Sequence, residues 1–141
     1  MTLDLSSLKK SILSLERALV FSKTLPVQYP TMTSLEIELL SAGVIQNFEF
    51  TYELCWKFMK RWLENNASQV LSTNVSRKQL FRHAGEFGLI RDFEVWTKFH
   101  EMRNQTSHTY DVEVSNEILT YTESFLQEAQ FLLSALEQKN D

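Results

Sequence analysis

The stretch from Ser34 to about Asn66 contains no proline and a single glycine, Gly43. Along it Phe48, Tyr52, Cys55, Met59 and Trp62 recur at alternating steps of four and three, which puts them on one stripe of an α-helix. Gln46, Glu49, Glu53, Lys57 and Lys60 form a polar stripe, and Glu53 and Lys57 are spaced to pair. A helix this long constrains everything else, because the remaining chain must bury its apolar face. Gly43 costs roughly 1 kcal/mol against alanine there, and so predicts a bend or a close helix crossing.

The flanking segments repeat the pattern. Leu5, Leu8, Ile12, Leu15 and Leu19 share a helical stripe, followed by "LPVQYP", whose Pro26 and Pro30 predict a connection that no helix crosses. "NNASQVLSTN" is polar and predicts a loop. Ser76 and Gln79 have capping-box spacing at the head of "SRKQLFRHAGEFG", a short helix ending at glycine. Asp92 is placed to cap a fourth helix over "FEVWTKFHEMRNQ", and Asp111 a last one carrying Ile118, Phe125, Ala129, Leu132 and Leu136 on one stripe.

The expectation is all-α: an antiparallel, up-and-down four-helix-bundle-like fold with an additional short helix, one domain over residues 1–141. Three glycines and two prolines leave little turn chemistry for a many-stranded sheet. Broad apolar faces, with Trp56, Trp62 and Trp96 in or beside them, suit a homodimer. A net charge of −4 excludes a broad basic surface, so any nucleic-acid contact must be local. Cys55 stands alone, on an apolar stripe, and reads as a buried inert thiol. With neither a signal-peptide pattern nor a membrane-length apolar run, the expected location is cytoplasmic, away from membrane.

The search for chemistry narrows quickly. His83, His100 and His108 form no metal-binding motif, and Gly43, Gly85 and Gly88 are too scattered for a phosphate loop, so no metal and no cofactor are expected. What remains is "RNQTSHTYD", Arg103 to Asp111. A guanidinium can fork onto phosphate oxygens and an imidazole can move a proton near neutral pH. Together they suffice for metal-free RNA cleavage, in which a 2′-hydroxyl attacks the adjacent phosphate. Five helical positions rotate a side chain by roughly 500°, leaving Arg103 and His108 about 140° apart. A joint site therefore requires the helix to end between them, or a second subunit. Thr106, Ser107 and Thr109 favour an ending. Arg, His and Tyr near a helix end also commonly cap carbonyls, which is the plainer reading.

Arg77, Lys78, Arg82, His83, Lys98, His100 and Arg103 could track phosphates, although such a run is more often a solvated helix face. Trp96 and Tyr110 could stack on bases if exposed, although such aromatics more often belong to the core.

These residues resemble a known family. "RNQTSHTYD" is similar to the Arg-x4-His signature of HEPN domains, and to the Arg-x4-His-x-Tyr form found beside minimal nucleotidyltransferases. "IQNFEFTYELCWKFMKRWL", "LFRHAGEFGLI" and "WTKFHEMRNQTSHTYD" resemble, in the same order, nucleotidyltransferase substrate-binding subunits. The resemblance spans about Ile45 to Asp111. It implies a dimerising helical bundle and metal-independent RNA cleavage by the toxin of a toxin–antitoxin pair. By that resemblance Arg103 stabilises the phosphate, His108 is general acid or base, and Asn104 and Glu53 support them. Tyr110 is the residue a partner nucleotidyltransferase antitoxin modifies with AMP. An older view of the same family implies a non-catalytic substrate-binding subunit of a two-component nucleotidyltransferase. The chain has no nucleotidyltransferase signature of its own.

Overall fold

Two capping boxes, two aspartate caps and one left-handed glycine set half of the helix ends in the computed structural model, which describes residues 2–68 and 73–140. The helices are α1 (Ser6–Gln28), α2 (Ser34–Asn66), α3 (Arg77–Glu86), α4 (Phe93–Gln105) and α5 (Val112–Lys139), with a 3-10 turn at Thr106–His108 between the last two. Among the described residues there is no strand, and the all-helical expectation of three long and two shorter helices holds.

The caps act as their spacing implies. Thr33 and Glu36 close a capping box on α2, Ser76 and Gln79 one on α3, and Asp92 and Asp111 accept from backbone N–H groups two residues on. At the end of α3, Gly88 adopts φ +78° while Gly88 N–H donates to Gly85 and Leu89 N–H to Ala84. That doubly bonded ending needs a residue free to enter the left-handed region.

One expectation fails, and one of the two alternatives at Gly43 with it. α1 does not stop before Pro26 but runs through it to Gln28. The proline falls in the last turn, where the missing N–H removes one bond and little helix remains to be kept straight. Gly43 marks no close crossing, since a side-chain carbon added there would meet nothing within 4 Å. α2 ends at Asn66, as its pattern implies, and of the polar loop expected over 65–74 residues 69–72 lie outside the described residues.

One core joins all five helices. Leu8, Ile12, Leu15 and Leu19 of α1 are buried, as are Phe48, Tyr52, Cys55, Met59 and Trp62 of α2 and the whole α5 stripe from Ile118 to Leu136. Phe125 lies at its centre, with ring centroids 4.9 Å from Phe48, 5.8 Å from Trp96 and 5.1 Å from Phe99, all in edge-on contact. Burial pushes the Cys55 thiol well above its usual pKa, consistent with an inert side chain. α1 and α5 run antiparallel: Leu3 N–H donates to Asn140 Oδ1 at 2.8 Å, and Asn140 Nδ2 donates back to the Leu3 carbonyl at 2.9 Å. No helix among the described residues is long and apolar enough to cross a membrane.

Trp62 and Trp96 are spent inside this core, so they offer nothing to a dimer interface or to a nucleic-acid base. The large apolar side chains left outside are others, among them Phe21 of α1 and Leu35, Leu39 and Phe50 of α2.

Candidate active site at the end of α4

α4 ends at Gln105, between Arg103 and His108, as a joint site requires. The ending is built by Thr106. Its buried hydroxyl donates to the Arg103 carbonyl at 2.7 Å and accepts from Arg103 Nη1 at 3.0 Å. The chain then tightens into the 3-10 turn, and its last residue is His108.

Arg103 reaches back onto α2, where its Nε donates to Glu53 Oε1 at 3.2 Å. The other Glu53 oxygen accepts from Trp56 Nε1 at 3.0 Å. Glu53 is therefore occupied by α4 and by its own neighbour, not by Lys57 as its spacing suggests. Held by Glu53 and Thr106, the guanidinium keeps Nη2 without a protein partner among the described residues, and so able to meet an anion.

His108, Tyr110 and Asn104 are exposed. The Tyr110 hydroxyl lies 3.4 Å from His108 Nδ1, and Tyr110 is 83% exposed. Thus Arg103 joins Glu53 and Thr106, His108 joins Tyr110, and no direct contact links the two groups among the described residues.

A second polar cluster lies one turn back along α4; the basic run named its Arg77 and His100, but nothing in the spacing joined them to Tyr52 or Trp56. The Tyr52 hydroxyl is 2.7 Å from His100 Nδ1. Burial, then the Arg77 charge, lower the His100 pKa below its ordinary value, while burial raises that of Tyr52. The Arg77 guanidinium stacks 3.4 Å above the Trp56 ring. His100 and Arg103, three apart on a helix, were legible as neighbours; the 48-residue bond to Tyr52 was not. The basic run is consequently no continuous solvated face. Arg77 and His100 are half-buried, and Lys98 faces Glu101 and Glu117 at 3.8 Å and 3.7 Å.

A family model described as "Nucleotidyltransferase substrate binding protein like" matches residues 3–138. The chain belongs to that family. Among relatives, a Haemophilus influenzae protein named "Probable ribonuclease HepT" is 44% identical over 102 residues, covering 72% of this chain and 70% of that one. A solved structure from Haemophilus influenzae, described as the fold of a substrate binding domain of a nucleotidyltransferase, superposes with a TM-score of 0.86 at 37% identity. It covers 96% of this family member and is itself covered in full. A crystal structure from Thermus thermophilus gives a TM-score of 0.64 at 27% identity, over 86% of this chain and 98% of that one.

Proposed function

We propose that this family member is a single HEPN-like domain acting as the RNA-cleaving toxin of a two-gene pair, cytoplasmic and dimeric, with a minimal nucleotidyltransferase as its antitoxin. The observation that carries this reading is the 44% identity with a protein named a probable ribonuclease. The geometry at the end of α4 supplies suitable groups. A 2′-hydroxyl oxygen attacks the adjacent phosphorus, the P–O5′ bond breaks, a base removes the 2′ proton and an acid returns one to O5′. Arg103 stabilises the charge gathering on the phosphate through its free edge, with Glu53 holding it and Asn104 beside it. His108 moves the proton.

One imidazole cannot be base and acid in the same protonation state, and an exposed one excludes no water. A second subunit supplies both remedies. The groove between α1 and α2, with Phe50, Leu54 and Glu53 in its lining, is a surface such a partner would cover. Tyr110, with its exposed hydroxyl, is the off-switch. Its oxygen gives up its proton to solvent and attacks the α-phosphorus of ATP held by the antitoxin, the bond to the β-phosphate breaks, pyrophosphate leaves, and AMP then stands beside His108.

The test is cleavage of total RNA by wild type, Arg103→Ala and His108→Ala. Both variants should lose at least about a hundredfold in rate, the range typical of a lost acid–base or charge-stabilising group, with helicity and dimerisation retained. Full activity in both overturns the assignment.

The solved relative described as a substrate-binding domain favours a second reading, a non-catalytic subunit presenting substrate to a nucleotidyltransferase. Tight titration of a small nucleotide-acceptor substrate, without RNA cleavage, would select it.

A further inference from the structure

Between α2, the head of α3 and α4 lies a cavity of about 390 Å³, with Trp56, Lys60, Asn74, Ser76, Arg77 and His100 in its lining. That volume is at the small end of ligand pockets. Its chemistry is one-sided, because Lys60 and Arg77 bring two cations and the polar lining carries no carboxylate.

Arg77 is the telling residue. Its guanidinium carbon lies 3.4 Å from the Trp56 ring centroid rather than against an acid, and its Nη1 is buried with no hydrogen-bond partner among the described residues. A buried charged donor without an acceptor is costly, and native structures usually satisfy such groups with protein, water or a bound ion. His100 adds another donor. The buried Tyr52 hydroxyl lies 2.7 Å from His100 Nδ1, and donating there is the arrangement that leaves its proton satisfied. A neutral imidazole accepting at Nδ1 carries its proton on Nε2. Arg77, Lys60 and His100 thus form a donor-rich cradle, with Asn74 and Ser76 the polar neighbours in its lining and the Glu53 carboxylate acting on Arg77 and His100 from beside it.

We propose that this cavity is a phosphate-binding subsite, taking a phosphate of the RNA strand beside the one Arg103 engages one helical turn along α4. Arg77 holds the phosphate oxygens by charge, Lys60 adds a flexible ammonium, and His100 donates a neutral hydrogen bond. Trp56 holds the guanidinium over its ring. Two phosphate contacts on one strand would strengthen RNA binding in the ground state and the transition state alike. The identity of the ligand rests on the ribonuclease reading; the cradle itself does not.

The experiment measures binding of a short 2′-O-methyl RNA, which has phosphates but no attacking hydroxyl, by fluorescence anisotropy across a salt series. The proteins are wild type, Arg77→Gln and Lys60→Gln, each checked by thermal melting, with AMP titrated in parallel. Lys60 is half-exposed, so its variant stays informative even if Arg77→Gln weakens the fold. Each variant should weaken RNA binding roughly five- to tenfold and lower the salt slope by about 0.7, one single-strand phosphate's worth. Cleavage should show a raised KM with kcat nearly kept, whereas Arg103→Ala loses kcat. Unchanged binding and KM in both variants, with RNA still cut, overturn the subsite and leave the ribonuclease reading intact. Loss of AMP binding in the variants, with RNA binding unmoved, makes the ligand a free nucleotide and overturns the strand-phosphate assignment. Failure of wild type to bind either probe overturns the cradle as an anion site.

Discussion

Arg103 Nε lies 3.2 Å from Glu53 Oε1, an ion pair joining the middle of α2 to the last turn of α4. Both side chains are about one-third exposed, so solvent screens the pair and its contribution to stability is small. Its effect is orientation: it directs the guanidinium edge that remains open.

Glu53→Gln should therefore separate activity from stability. RNA cleavage at saturating substrate is expected to fall about tenfold, equivalent to about 1.4 kcal/mol of transition-state stabilisation. Urea unfolding should shift by less than about 1 kcal/mol. A variant with wild-type turnover would remove Glu53 from the positioning of Arg103.

At Tyr110 the expected split is between regulation and catalysis. With the ring almost wholly exposed, Tyr110→Phe should unfold within about 0.5 kcal/mol of wild type and still cleave RNA. Incubation with the partner nucleotidyltransferase and labelled ATP should leave the variant unlabelled. Continued incorporation would place the modified residue elsewhere.

His100 makes stability depend on pH. Its folded-state pKa is lowered from 6.5, by burial first and by Arg77 second, so the folded protein binds its proton less readily than the unfolded chain. The contribution is whole above about pH 6.5 and is lost as pH falls through the lower folded value. His100→Gln retains an acceptor for Tyr52 and has no proton to gain. Between pH 7.5 and 5.5 wild type should lose more unfolding free energy than this variant, and parallel losses would refute the assignment.

The core prediction concerns Phe125, which meets Phe48, Trp96 and Phe99 edge-on. Phe125→Ala should cost about 3–5 kcal/mol in denaturant unfolding. Phe125→Leu, which fills more of the space, should cost distinctly less. Equal losses would show that ring geometry, rather than volume, dominates there.

The helices and most of their ends were legible in the sequence because their causes are local. Stripes at steps of three and four, Ser76 with Gln79, Asp92, Asp111 and the glycine after α3 each act within a turn or two of chain. The break between Arg103 and His108 belongs to the same class, since Thr106 bonds back only three residues. Pro26 does not end α1, because a proline's effect depends on where in the helix it falls. Contacts between helices had no local signature. Glu53 with Arg103, Tyr52 with His100 and Arg77 on Trp56 depend on how α2, α3 and α4 cross, which the packing of apolar faces throughout the chain decides. Residue types and their spacing settled which groups could do the chemistry; the crossing of the helices settled which of them meet.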